Sequence, residues 1–311
     1  MKRLKTQVIV NPESNRGRTR GRWKEIKDAL RSHLREFRYD FTEKPLQAIE
    51  ISREAVRSGH ELIIGVGGDG TMNEIANGFF TDRRLINPET ALGIVPAGTG
   101  CDLTKSLGIP SRIDDALKVI THASSMAMDV GRVSFRETSG REAERLFLNV
   151  SDFGIGGEVV KRVNERRLQR KASSYVRCLV SAMANYRSRR IRIRVDGRDL
   201  PEDEYLIGAI ANGRIFGKGM KIAPGASLDD GLFDLVLVKS MRFFEFCRHG
   251  WKIFLGTHLS HPKISLERGR SIEAYAVDQG EVLLELDGEQ LGTLPAKFEI
   301  VPRALQVKGY V

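Results

Sequence analysis

The chain has 311 residues, 41% of them apolar, and a formal net charge of +10. Length and apolar content suit one large or two ordinary domains with buried cores, and no apolar run approaches the roughly 18 residues of a membrane-spanning helix. The charge favours polyanionic or phosphorylated partners, while Cys101, Cys178, Cys247 and the six histidines show no zinc or redox spacing.

In chain order, Gln7–Val10 reads as a strand that ends in the turn Asn11-Pro12. Arg22–Leu34 has helical spacing, Arg38–Thr42 is extended, and Leu46–Arg57 is helical again. The apolar run Leu62–Ile64 reads as a strand, Met72–Phe80 as a helix, Ala91–Val95 as a strand broken by Pro96, and Ile113–Ala123 as a helix. This alternation predicts a layered α/β domain with a parallel sheet. In such sheets ligands sit at the carboxyl ends of strands, so the turns at Asn11, Thr42, Gly65 and Pro96 are expected along one rim. From about Asp129 strand patterns dominate: Arg145–Val150, Ile191–Val195, Tyr205–Ala211, Phe233–Val238, Ser271–Val277 and Val282–Leu286, with helices expected at Ile155–Leu168 and Ser173–Tyr186. That half reads as mainly antiparallel. Between Arg187 and Arg194, apolar Ile191 and Ile193 alternate with Arg192 and Arg194, which predicts a half-buried strand with a solvated basic face. His258 and His261 flank a Ser-His-Pro turn and read as surface residues.

The most telling stretch is Gly65-Val-Gly-Gly-Asp-Gly-Thr-Met-Asn-Glu74, set between a predicted strand and helix. Glycines there admit unusual backbone angles and leave no side chain between the amides and a ligand. Amides at a helix N-terminus bind anions, most often phosphate. Asp69 places a carboxylate where a metal accompanying phosphates would sit. Thr71 and Glu74 also have capping-box spacing, so both could serve only the helix start. A second turn, Pro96-Ala-Gly-Thr-Gly-Cys-Asp102, follows another strand; Thr99 could meet the same phosphates, or Asp102 could simply cap a helix.

The ordered succession of Asn11-Pro12-Glu13-Ser14, Gly67–Glu74, Pro96–Thr99, Ser106–Pro110, Asn149, Gly154, Asp230–Asp234 and Asp287-Gly288-Glu289 resembles the diacylglycerol kinase catalytic-domain family, which includes sphingosine, ceramide and bacterial lipid kinases. The resemblance implies a phosphofructokinase-like nucleotide-binding α/β domain over 1–128, with strand 303–311 returning to it, and a C-terminal β-sandwich over 129–302. It implies that Asn11, Thr42, Gly67, Gly68, Asp69, Gly70, Thr71, Met72, Asn73 and Thr99 contact ATP. It implies that Glu289 takes the proton from the acceptor hydroxyl, and that Asp230, with backbone oxygens of Ser227 and Leu232, holds Mg2+ near Asp129. Phosphoryl transfer needs what these parts offer: held phosphates, positive charge and an oriented hydroxyl. Asp287-Gly288-Glu289 is equally a tight-turn sequence, and its chemical role rests on the resemblance. One departure stands out: Cys101 occupies a position where the family usually has Asn.

The activity expected is transfer of the γ-phosphoryl group of ATP to a hydroxyl of a diacylglycerol-like membrane lipid. NAD kinase, which shares a Gly-Gly-Asp-Gly turn, and a catalytically silent nucleotide- or lipid-binding regulator are the alternatives; an apolar acceptor pocket would separate the first from NAD kinase. A cytoplasmic protein in peripheral contact with an anionic membrane is expected, since Met1–Val10 lacks the apolar stretch of a signal peptide. A homodimer is left open, and no nucleic-acid platform is present. Met241–Leu255 projects Phe243, Phe246, Cys247, Trp251, Phe254 and Leu255 on one helical face and Glu245, Arg248, His249 and Lys252 on the other, which suits an interfacial helix or one packed on the core.

Overall fold

In the computed structural model, which describes residues 4–165, 178–183 and 186–310, the chain divides into two units: the residues up to Asp129 together with those from Arg303, and Val130–Pro302. The first unit comprises β1 (Thr6–Val10), α1 (Arg18–Gly21), α2 (Trp23–His33), β2 (Arg38–Phe41), α3 (Gln47–Arg57), β3 (Leu62–Gly67), α4 (Asp69–Gly78), the hairpin β4 (Phe80–Thr81) and β5 (Arg84–Leu85), β6 (Ala91–Pro96), α5 (Asp102–Ser106) and α6 (Ile113–His122). Its sheet runs β2-β1-β3-β6, all parallel. Gln306 and Val307 of the last strand lie beside Ala91 and Leu92 of β6.

β1 and β3 are buried throughout, as central parallel strands covered on both faces must be, whereas the edge strand β2 is exposed. Ile26 and Leu30 of α2 and Leu117 and Ile120 of α6 pack with Val8, Val10, Ile64 and Val66. α4 lies so close to β3 that any side chain at Gly65 would strike Met72 and Ile75. Because Val10 pairs with both Phe41 and Val66, and Gly67 with Pro96, the strand ends are level. Asn11, Thr42, Gly68 and Ala97 therefore open their loops along one rim.

The second unit contains β7 (Ser125–Glu137), β8 (Glu142–Phe147), β9 (Val150–Gly154), α7 (Ile155–Glu165), β10 (Arg189–Val195), β11 (Arg198–Asp199), β12 (Asp203–Ala211), β13 (Phe233–Lys239), α8 (Phe243–His249), α9 (Lys252–Leu255), β14 (Ile264–Gly269), β15 (Ser271–Ala276), β16 (Leu283–Leu286) and β17 (Glu289–Lys308). Its ladders are antiparallel: β9 with β12 and β16, β13 with β12 and β14, β15 with β10 and β17, and β16 with β17. Phe147, Phe153, Phe233 and Phe298 fill the core with Ile191 and Ile193. The basic strand β10 has the expected alternation, and its arginines are paired outward, Arg192 with Glu202 at 2.8 Å and Arg194 with Asp199 at 2.9 Å. The helix expected at Ser173–Tyr186 lies partly outside the described residues, of which 178–183 are helical.

Two expectations need correction. Met241–Leu255 is two short helices broken at Gly250-Trp251, so its aromatic residues do not share one face: Phe243 and Phe246 pack on the core, while Phe244, Trp251, Phe254 and Leu255 are exposed. His258 is buried, with its Nε2 3.0 Å from the Ile222 carbonyl oxygen, and the His261 ring packs on that of His249 at 5.0 Å. A local turn signal says nothing about the tertiary contacts that bury both.

Candidate active site

The glycine turn of the first unit is a junction of three loops. α4 starts at Asp69, directly after the extended Gly68, so its first-turn N–H groups, which have no intrahelical acceptor, open on the rim. Thr71 is therefore inside the helix rather than at its cap. Its Oγ1 accepts a hydrogen bond from Asn11 Nδ2 at 3.0 Å, and Glu74 accepts from the Ala48 amide near the start of α3. The expected capping box is not formed.

Asn11 in turn organises the first loop, its Oδ1 accepting from the amides of Glu13 and Ser14 at 3.0 and 3.2 Å. The hydroxyls of Ser14 and Thr19 share a hydrogen bond at 2.6 Å, and both lie within reach of the Ala97 carbonyl of the third loop, at 3.5 and 3.3 Å. A Cβ on Gly98 would lie 2.4 Å from the Cα of Gly68, so the second and third loops touch backbone to backbone and only glycine fits. Thr42 is buried at the end of β2, with its amide bonded to Val10 O at 2.9 Å, while Thr99 is exposed and Asn73 half-buried.

Asp69 is engaged by backbone donors. Its Oδ2 accepts from the Asp102 amide at 3.0 Å and its Oδ1 from the Leu103 amide at 3.2 Å. The carboxylate thus satisfies the first donors of α5 and ties the third loop to the second. In this loop Cys101 adopts φ 48° and ψ 48°, the left-handed region in which Asn is tolerated far better than Cys. Burial, with the Asp69 and Asp102 carboxylates beside it, pushes the Cys101 thiol up to about 12, so it stays neutral at physiological pH.

In the second unit, Asp287 and Gly288 are the central pair of a two-residue hairpin between β16 and β17, closed by Leu286 and Glu289. Both have positive φ, 45° and 94°, as a type I′ turn requires. The Asp287 carboxylate accepts three backbone N–H groups, from Leu148 at 2.8 Å, Asn149 at 3.0 Å and Val150 at 3.1 Å. The Asp-Gly dipeptide between apolar strands signalled the turn; nothing local signalled where Asp287 would be anchored. Glu289, half-buried, is the first residue of β17.

The cluster Ser227, Asp230, Leu232 does not fit a divalent cation as it stands. Asp230 Oδ1 accepts the Leu232 amide, and Oδ2 is paired with the Arg268 guanidinium, which also binds Asp234 at 2.7 Å. Ser227 donates to Asp229 at 2.7 Å. An arginine supplies the positive charge there, and no group of three or more His, Cys, Asp or Glu able to hold a metal exists among the described residues. Asp129 lies in the first unit, where its buried carboxylate accepts the Arg303 amide at 2.6 Å.

The second unit also encloses a cavity of about 350 Å3, lined mainly by apolar residues, among them Val159, Met183, Leu206, Met220, Phe246 and Trp251. His249, Lys252, His258 and His261 contribute its polar part. Among the described residues no helix is long and apolar enough to cross a membrane.

Comparison with known proteins accounts for both units. The diacylglycerol kinase catalytic domain profile matches residues 5–133, and the YegS C-terminal NAD kinase beta sandwich-like domain profile matches residues 149–309. The chain is 26% identical over 315 residues to a diacylglycerol kinase of Staphylococcus carnosus, covering 98% of this chain and 95% of that protein. It is 28% identical over 319 residues to one of Staphylococcus aureus, at 98% and 92%. A crystal structure of a diacylglycerol kinase from Bacillus anthracis has the same fold, with TM-score 0.73 and 24% identity over 99% of this chain and 98% of that one. Yeast NADH kinase complexed with NADH is a more distant fold relative, with TM-score 0.56 and 12% identity over 99% of this chain and 83% of that one. The chain belongs to the diacylglycerol kinase catalytic-domain family and is an enzyme of the lipid kinase class.

Proposed function

We propose that this enzyme transfers the γ-phosphoryl group of MgATP to a hydroxyl of a diacylglycerol-like membrane lipid. The observation that carries the reading is the apolar cavity of about 350 Å3 in the second unit, which suits acyl chains and offers little to a nicotinamide nucleotide. For the same reason NAD is not the favoured acceptor, although NADH kinase shares the fold.

In this reading the Gly68–Thr71 amides and the N-terminus of α4 hold the triphosphate of MgATP, with magnesium travelling as part of the substrate. Asn11 and Asp69 act through the loops they tie together. Thr42, Met72, Asn73 and Thr99 complete the nucleotide contacts, and Glu289 accepts the proton of the lipid hydroxyl as the phosphoryl group arrives. The exposed Phe244, Trp251, Phe254 and Leu255, flanked by exposed Arg242 and Arg248, rest on an anionic membrane surface at the cytoplasmic side.

The test is radiolabelled ATP offered to a panel of lipids in mixed micelles, with NAD as a parallel acceptor, for wild type, Glu289→Gln and Asp69→Ala. Label in a glycerolipid class, with large losses in both variants, is the expected result. Label in NAD overturns the lipid assignment, and full activity in the Glu289 variant overturns the base.

A further inference from the structure

Two carboxyl groups of the second unit have no part in the chemistry above and sit where charged groups are rare. Glu285 is 5% exposed in β16 and Asp152 is 1% exposed in β9. The two strands pair so that these residues are direct antiparallel partners. Among the described residues no N–H or alcohol hydroxyl reaches either Asp152 oxygen, and no cation pairs with either acid. Carboxylates so placed cannot both be ionised, because burial and mutual repulsion each favour the protonated form.

The start of α7 decides where the proton sits. Asp152 lies against the first turn of α7, so close that a Cβ on Gly156 would overlap its carboxylate, and a helix N-terminus favours the anion there. Glu285 is therefore the protonated partner. One oxygen donates to Asp152, and the other, Oε1, accepts the N–H of Gly288. Burial first, and the Asp152 charge second, hold the Glu285 carboxyl well above its ordinary range. The other titratable groups near the pair are Asp287 on the turn and Tyr186, which senses Arg189, Glu158 and Asp152.

Gly288 is the residue immediately before Glu289. We propose that Asp152 and Glu285 are positioning residues: a buried, hydrogen-bonded acid pair that locks the Asp287–Gly288 turn and thereby sets the pose of Glu289. Asp287 fixes the turn to residues 148–150 from one side, and the pair fixes its amide from the other. The inference rests on the reading of Glu289 as the base.

The pair also carries a pH signature. Folding raises the affinity of Glu285 for its proton, so the folded state keeps a proton that the unfolded chain releases above about 4.5. The contribution of the pair is fully present below that pH and fades as pH rises through the folded-state value, where two facing carboxylates would push the turn apart.

The experiment uses the full chain with 1,2-diacylglycerol in mixed micelles and compares wild type, Glu285→Gln, Glu285→Ala and Glu289→Gln. Gln at 285 keeps both bonds, its Oε1 accepting from Gly288 and its Nε2 donating to Asp152. We expect Glu285→Gln to hold kcat within about threefold of wild type and to lack its alkaline decline, and Glu285→Ala to lose about 10- to 100-fold in kcat with KM for MgATP unchanged. Amide exchange of residues 286–290, read without substrate, should quicken in Glu285→Ala and stay slow in Glu285→Gln. Wild-type kcat and exchange in Glu285→Ala, or a Glu285→Gln variant as impaired as Glu285→Ala, overturns the proposal. Full activity in Glu289→Gln instead overturns the base, and amide exchange then still reports whether the pair holds the turn.

Discussion

The Asp69 turn and the Asp287 turn share a Gly/Asp vocabulary but are built in different ways. Asp69 lies on a helix N-terminus and reaches out of its turn to two amides of a neighbouring loop. Asp287 lies in a hairpin turn, with both central residues at positive φ, and gathers three amides of the 148–150 segment. In both, the acid that a motif search would call catalytic is spent on backbone donors. Under the proposed function, what remains for chemistry differs: in the first unit, bare main-chain amides suited to phosphate; in the second, the following residue, Glu289. The comparison teaches that in both turns the aspartate is the clamp, which leaves the chemistry to be sought beside it.

The largest effect that would break this comparison is at Glu289. If Glu289 is the base, Glu289→Gln should lower kcat by about 10²- to 10⁴-fold with little change in thermal stability, since the amide keeps the side chain's size and one acceptor oxygen. Asp287→Ala should behave otherwise. Losing a charged acceptor of three N–H groups should destabilise the second unit by at least about 3 kcal/mol in denaturant unfolding, with activity falling alongside. An Asp287 variant of wild-type stability would erase the clamp role.

In the first unit the probe is Gly98→Ala. The added methyl strikes the Gly68 backbone, so the loops must part and KM for MgATP should rise about tenfold, a cost of about 1.4 kcal/mol, with kcat changed less. The smallest effect sharpens the account of the unusual residue. Cys101→Asn should raise stability by about 0.5–1 kcal/mol, because Asn tolerates the left-handed backbone, and should leave KM for MgATP near wild type; a loss of stability would contradict that.

Much of this was legible in the sequence because it follows from periodicity. The buried runs around Val8, Ile64 and Ile94 gave the parallel strands, and their carboxyl ends put Asn11, Thr42, Gly65 and Pro96 on one expected rim; in the structure β3 and β6 run on to Gly67 and Pro96, so those loops open at Gly68 and Ala97. The alternation through Ile191 and Ile193 gave β10 and its solvated arginines. What was not legible depends on contacts between distant segments. The partner of Asp69 is 33 residues away, and those of Asp287 more than 130. Arg268, which pairs with Asp230, is 38 residues from it, and nothing in the local sequence signals that contact. Glu285 and Asp152 did leave a trace, an acid inside an otherwise apolar strand, which seldom occurs without a partner. The face expected along Met241–Leu255 failed because a single helical projection cannot anticipate a break at Gly250, and it overlooked Phe244, at 83% the most exposed large hydrophobic residue among those described.

The most direct measurement of the central claim is hydrogen exchange of the full chain with and without MgATP, resolved to peptides. The account predicts new protection in residues 66–73 and 96–103, where the glycine turns and their clamped loop would close on the triphosphate. Protection confined to other segments, with those two unchanged, would contradict it.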